Sequence, residues 1–117
     1  MKRQSNNSNR EERIASKVQT LVAEILRDDF SDDKIISGVS LTGSVAHGGL
    51  QFVRLFYYSR EKDIKLVQKR LEEITKTVRF ELAARMNQKY VPDIRFQYDD
   101  SLDKADRIEE LLKNISD

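Results

Sequence analysis

The chain has 117 residues, a formal net charge of +1, 35% charged residues and no cysteine. This length is typical of one domain, and the absence of Cys excludes disulfides and thiol chemistry and suits a reducing compartment. No apolar run approaches the roughly 18 residues that span a bilayer, and the polar N-terminus lacks the apolar stretch of a secretory signal. We therefore expect a cytoplasmic protein that does not associate with membranes.

The first half of the chain predicts one helix and two strands. Residues 1–10 are polar and Asn-rich, which predicts a disordered N-terminal tail ahead of one domain over residues 11–117. Apolar residues at helical spacing predict an amphipathic helix over about 11–27. A β-branched run over 35–42 and an aromatic run over 50–58 predict strands, joined by a glycine-rich loop over 43–49.

The second half predicts three helices and one strand. Ser59 is a suitable N-cap for a helix over about 61–74, and a further helical stretch covers about 78–88. Four of the five residues in 74–78 are β-branched, which favours a break between these helices. Pro92 precedes a third strand, in which Ile94, Phe96 and Tyr98 face one way. A last helix follows Asp99-Asp100-Ser101.

The charges are unevenly distributed along the chain. Residues 54–95 hold eleven bases and six acids, whereas residues 96–117 hold three bases and seven acids. Four lysines of the predicted 61–74 helix and the residues just after it fall within about a 60° arc opposite the apolar stripe of that helix, and three further cations follow them along the chain. Such a stripe predicts contacts with RNA phosphates by Lys62, Lys65, Lys69, Lys76, Arg79, Arg85 and Lys89. The alternative is a solvated helix face with local pairs such as Lys69 with Glu72.

Other kinds of site are weakly supported. One His and no Cys cannot supply a zinc shell, and the Asp runs lack the glycine and terminal Glu of an EF-hand, so no metal or cofactor is expected. His47 lies near Ser44 and Thr42, and a small hydrolase centred on His47 is one alternative; an exposed loop histidine is the simpler interpretation. The second strand is apolar on both faces, so a second alternative function is a protein-interaction domain that uses the aromatic residues of this strand.

Several motifs resemble the ribosome-binding factor A family. They are Val78-Arg79, Glu81-Leu82-Ala83, Arg85-Met86, Tyr90-Val91-Pro92-Asp93-Ile94-Arg95-Phe96 and Tyr98-Asp99-Asp100-Ser101-Leu102. The likeness covers about residues 11–115, and its Tyr-Val-Pro-x-Ile-x-Phe-x-Tyr-Asp-x-Ser run is the most specific part. The chain departs from the family at 74–76, where Ile-Thr-Lys replaces Ala-x-Gly, and in the longer 43–49 loop.

The resemblance implies an α+β fold, a type II KH-like domain. In it a three-stranded sheet carries helices packed on one face, in the order α-β-β-α-α-β-α. It further implies a non-catalytic ribosome assembly factor, monomeric, which binds the free small (30S) ribosomal subunit and contacts 16S rRNA, with ribosomal proteins as further candidate partners. Such a factor assists late maturation and 5′-end processing of 16S rRNA and is linked to growth in the cold. The RNA contacts would lie on the helix–break–helix unit between Lys62 and Lys89.

Overall fold

A three-stranded sheet carries two long helices on one face. The computed structural model describes residues 2–116, and the side chains of residues 9–115. The elements are α1 (Lys2–Asp29), a 3₁₀ turn (Ile36–Gly38), β1 (Val39–His47), β2 (Phe52–Ser59), α2 (Ile64–Met86), β3 (Asp93–Tyr98) and α3 (Ser101–Ser116).

The strands lie in the order β1-β2-β3, with β1 antiparallel and β3 parallel to the central β2. A parallel pair needs a crossover connection, and α2 supplies it. Side chains alternate across β2, so that Val53, Leu55 and Tyr57 are buried beneath the helices. This arrangement confirms the α+β, type II KH-like fold class.

The core lies between the inner face of the sheet and the two long helices. The helices contribute their apolar stripes at spacings of three and four residues, which places each stripe on one side of its helix. The buried members are Ala15, Val18, Val22, Ile25 and Leu26 of α1 and Val67, Leu71, Ile74, Val78, Leu82 and Met86 of α2. One continuous core therefore spans the whole length of α2.

The helix break predicted within residues 74–78 is wrong, because α2 runs unbroken from Ile64 to Met86. The buried stripe keeps its spacing through Ile74 and Val78, so packing favours a continuous helix. The Thr75 hydroxyl donates to the Leu71 carbonyl at 2.7 Å, within the helix. The propensity cost of a β-branched residue is only a fraction of about 0.7 kcal/mol. The element order is therefore α-β-β-α-β-α, with one central helix instead of two.

The first hairpin also differs from its prediction. Most of the expected 43–49 loop belongs to β1, which extends to His47 and contains a bulge between Leu41 and Gly43. The turn itself is shorter, and Gly48 and Gly49 adopt φ values of 58° and 61° there. Glycine takes this left-handed conformation without a Cβ penalty, so Gly48 and Gly49, followed by Leu50 at a φ of 73°, reverse the chain, and Gly43 does not.

Two helix starts are corrected as well. The first helix, expected to begin at about residue 11, begins at Lys2, and no Gly or Pro interrupts this stretch. Met1 and the side chains of residues 2–8 lie outside the described residues. The N-cap of α2 is Asp63, whose carboxylate accepts from the Leu66 N–H, whereas Ser59 accepts from the Glu61 N–H just before the helix.

The last helix does not bury its apolar stripe, contrary to the expectation that the helices pack on one face of the sheet. Five large apolar side chains of α3 are between 55% and 79% exposed: Leu102, Ile108, Leu111, Leu112 and Ile115. The start of α3 is held instead by polar contacts. The Tyr98 hydroxyl donates to Asp103 at 2.7 Å, and Asp99 accepts from the Ser101 N–H at 3.0 Å and from the Thr42 hydroxyl at 2.6 Å.

Candidate nucleic-acid interface

The outward face of α2 presents a row of lysines. Lys65, Lys69 and Lys76 are all exposed, and at about 100° per residue they fall within an arc of about 40°. The row lies away from the buried stripe of the same helix, which is why the lysines reach solvent. Glu72 and Glu73 border the row and are exposed too. We call Lys65, Lys69 and Lys76 the lysine row.

Lys62 and Lys89 are exposed but stand outside the helix. Lys62 lies in the segment ahead of the Asp63 cap, and Lys89 follows Asn87, which ends α2 in the left-handed conformation. The two lysines therefore flank α2 at opposite ends. They extend the positive charge beyond the lysine row without belonging to the same helical arc.

Arg79 and Arg85 are engaged in contacts with other elements. The Arg79 guanidinium lies 2.8 Å from the Asp93 carboxylate and donates to the Val91 carbonyl at 3.2 Å, which ties α2 to the start of β3. Arg85 lies on another side of the helix, with its guanidinium 3.9 Å from Glu24 and 4.0 Å from Asp29 of α1. The structure therefore does not bring Arg85 together with the lysine row.

A groove of about 370 Å³ runs between α2 and the free edge of β3. Its polar lining comes from both elements, and Arg54 reaches it from β2. The lining residues are Arg54, Gln68, Glu72, Thr75, Ile94, Arg95, Phe96 and Gln97. The groove lies beside the lysine row, so a nucleic-acid backbone bound to the lysines would run along the opening of the groove.

Gln68 fixes the floor of this groove. Its side chain accepts from the Tyr57 hydroxyl at 2.7 Å and donates to the Phe96 carbonyl at 2.8 Å and to Glu72 at 3.0 Å. Burial and the nearby Glu72 carboxylate raise the pKa of Tyr57 to about 12, so this phenol stays protonated and donating near neutral pH. These bonds hold α2 at a set distance from β3.

Phe80 is an exposed residue of α2 that the charge pattern of the sequence did not indicate. This aromatic side chain is 74% exposed near the lysine row, one turn beyond Lys76. Its position between the buried Val78 and Leu82, off the apolar stripe, is the signal that could have found it. An exposed aromatic ring beside cations is a surface on which an unpaired base can stack.

The acidic run after α1 has a structural role. Asp33 accepts from the Ile35 and Ile36 N–H groups at 3.0 Å each, and its second oxygen accepts from Arg70 of α2 at 2.7 Å. Burial acts to raise the pKa of Asp33, but the Ile36 N–H and Arg70 outweigh it and hold the pKa below its usual value. No cluster of His, Cys, Asp and Glu among the described residues could hold a metal ion.

His47 and Ser44 point to opposite faces of the sheet. Ser44 pairs with the buried Leu55, whereas His47 pairs with Phe52 and stacks on its ring, with 4.8 Å between ring centroids. The Thr42 hydroxyl donates a hydrogen bond to the Asp99 carboxylate. The arrangement therefore provides no nucleophile–base pair from these three residues.

Across the described part of the chain, no helix combines the length and apolarity that crossing a membrane requires. The family model of ribosome-binding factor A matches residues 10–112.

Curated relatives cover nearly the whole chain. Ribosome-binding factor A of Rippkaea orientalis is 34% identical over 114 residues, which are 95% of this chain and 89% of that protein. The same factor from Limosilactobacillus fermentum is 35% identical over 109 residues, 91% of this chain and 90% of that protein. The crystal structure of ribosome-binding factor A from Thermus thermophilus has the same fold, with a TM-score of 0.65 at 10% identity over 75% of this chain and 94% of that one. These matches confirm the resemblance seen in the sequence: the chain belongs to the ribosome-binding factor A family.

Proposed function

We propose that this chain is a non-catalytic ribosome assembly factor that binds the free small (30S) ribosomal subunit through 16S rRNA. The observation that carries the proposal is the lysine row, three exposed lysines in one arc on a rigid, unbroken helix. From Lys65 to Lys76, eleven positions further along the helix, the row extends about 16 Å. Family membership supports the same conclusion, because the curated relatives are named for binding the ribosome.

The protein would act by stoichiometric binding in the cytoplasm, as a monomer. Binding energy would favour one conformation of the rRNA during late maturation and 5′-end processing, including at low temperature, and release would follow maturation. Recognition would depend on backbone and shape, because structured RNA offers few readable base edges. Lys62 and Lys89 would add phosphate contacts at the helix ends, while Arg79 would mainly position β3 and Arg85 would mainly pair with α1.

Exposed Phe80 supports a role for α2 in RNA contact beyond charge alone. Large aromatic side chains are costly to leave in water, and this one is 74% exposed beside Lys76. Stacking of an unpaired base on its ring would cover it. Replacement of Phe80 by Ala should therefore weaken subunit binding with little change in its salt dependence, whereas lysine changes should alter that dependence.

Co-sedimentation with small ribosomal subunits across a salt series tests the proposal. Wild-type affinity should fall steeply with salt, and a K65E/K69E/K76E variant should bind weakly, with a salt slope lower by about 2–3 for three lost phosphate contacts. A matched control is R27E/K34E/K104E, which makes the same change in net charge at exposed positions off α2. Equal loss in both triple variants would show a non-specific charge effect and refute the assigned face.

The alternative partner class, a protein bound by the aromatic second strand, gives a different result. Binding would then survive high salt, because apolar contacts are not screened. The lysine changes would also leave it nearly unchanged.

A further inference from the structure

The face of the sheet opposite the helices is lined by aromatic and cationic side chains. On β2 the outward residues alternate with the buried ones, so this face receives Phe52, Arg54, Phe56 and Tyr58. The register of the sheet adds Val45 and His47 from β1 and Arg95 and Gln97 from β3. All of these side chains are partly or fully exposed. We call this set the outer sheet face.

Three planar groups form a row across the outer sheet face. The His47 ring stacks on Phe52 at 4.8 Å between centroids with 13° between planes. From the other side, the Arg95 guanidinium lies 3.9 Å from the centroid of the same ring. The row therefore crosses all three strands, and its Arg95 end lies on the edge strand, beside the groove.

The cations of this face lack acidic partners. Within the described residues, neither Arg54 nor Arg95 forms an ion pair, and Asp93, which pairs with Phe52 in the sheet, has its ion pair with Arg79 instead. Arg54 hydrogen-bonds to Gln97, but its buried Nε has no hydrogen-bond partner among the described residues. Two guanidinium groups are therefore left to attract an anion.

The outer sheet face is continuous with the groove. Arg54, Arg95 and Gln97 line the groove and also belong to the outer sheet face, because β3 is the edge strand between the two. A flexible strand leaving the groove would cross β3 and meet the Arg95 end of the planar row first. The two surfaces thus form one path around the edge of the sheet.

We propose that the outer sheet face binds a single-stranded segment of RNA, with unpaired bases stacked on the Phe52–Arg95 row and Arg54 contacting a phosphate. The inference rests on the proposed function, since it extends the RNA path from the lysine row and the groove. Unpaired bases are recognised by stacking on aromatic rings and guanidinium planes, and cations nearby follow the backbone. A purely apolar protein partner would bury two guanidinium charges that have no ion-pair partner, which is unfavourable.

Binding of a fluorescent oligoadenylate of about ten nucleotides, measured by anisotropy, tests the proposal alongside subunit co-sedimentation. Stacking on one aromatic ring is typically worth around tenfold or more in affinity. Phe52→Leu, which keeps the apolar bulk, and Arg95→Ala should therefore each weaken oligonucleotide binding about tenfold. Arg27→Ala is the matched control, because Arg27 is an exposed arginine of α1 on the opposite side of the sheet, and this variant should bind like the wild type.

Arg95→Lys separates stacking from charge, because lysine keeps the charge and loses the plane. The proposal expects this variant to lose most of the affinity that Arg95→Ala loses; wild-type affinity would overturn base stacking at Arg95. Arg95 is exposed, so its variants should keep the wild-type melting temperature even if Phe52→Leu, at a half-buried site, does not.

The possible failures are distinguishable. If the outer-face variants bind oligoadenylate normally while K65E/K69E/K76E binds the subunit poorly, the inference is overturned and the proposed function stands. If the outer-face variants lose salt-resistant subunit binding but not oligonucleotide binding, the face binds a protein and the inference is again overturned. If the wild type binds neither RNA nor subunit, both proposals fail.

Discussion

Lys76 is the position at which the family pattern and the structure disagree most sharply, and a pair of substitutions there tests the unbroken helix. The family pattern has Gly at this point, whereas here Lys76 is exposed in the interior of α2. Among the described residues it forms no ion pair. The difference in stability between Lys76→Ala and Lys76→Gly should therefore report backbone conformation and little else.

In a helix the Ala variant should be more stable than the Gly variant by about 0.5–1 kcal/mol. For a domain of this size that difference corresponds to roughly 2–6 °C in melting temperature. Urea unfolding and thermal unfolding followed by circular dichroism would both resolve it. The same pair at Glu73, an exposed interior position of α2, supplies the reference value for ordinary helix.

The sign of the stability difference between the Ala and Gly variants shows whether residue 76 is helical. If residue 76 had the left-handed conformation of a glycine kink, Gly would be favoured over Ala by roughly 1 kcal/mol or more. A Gly variant more stable than the Ala variant at 76, with the normal order at 73, would refute the continuous helix. Equal differences at both positions would support it.

Three further predictions concern stability. Asp33→Ala should lose about 1–3 kcal/mol at neutral pH, because the bonds to Ile36 and Arg70 disappear. Since the pKa of Asp33 is lowered in the folded state, its contribution to stability is present above the unfolded pKa of about 3.9 and is lost as pH falls through the folded pKa. In urea unfolding, the difference in free energy of unfolding between wild type and Asp33→Ala should therefore shrink in acid. A difference that stays constant with pH would contradict this. Tyr57→Phe should lose about 1 kcal/mol, and the alkaline absorbance titration should lose one phenol of pKa about 12. Because that pKa is raised, the contribution is complete below pH about 10 and declines as pH rises; an unchanged titration would contradict the assignment. Leu111→Gln should change stability by less than about 0.5 kcal/mol, and a larger loss would mean that α3 packs on the core.

The fold class could be predicted because its main signals are local. Alternation in β3 placed Ile94 and Phe96 inward, and helical spacing identified the buried stripes of α1 and α2. The helix break could not be predicted, because the cost of β-branched residues is local while the benefit of burying Ile74 and Val78 depends on the assembled sheet. The extent of β1 was missed for the same reason, since pairing with β2 keeps Gly43 in a strand.

The candidate interface was predictable only in part. The lysine row follows from helical phase, which the sequence contains. The partners of Arg79 and Arg85 come from β3 and α1, and nothing in the local sequence places those elements beside α2. The planar row of the outer sheet face needs the register between three strands, so it could emerge only from the structure.

Because the apolar stripe of α3 is exposed, α3 should be less stable thermodynamically than the rest of the domain. A sixteen-residue helix with its apolar side chains in water gains little from packing, and isolated helices of this length are marginal. The contacts of Asp99 and Asp103 secure only its first turn, so opening should start from the C-terminal end. Amide protons of α3 should therefore exchange by local opening, and the free energy of this opening should be close to zero. Amide protons of α2 should exchange only on global unfolding. The rest of the domain should thus fold as one cooperative unit, while α3 folds and unfolds independently of it.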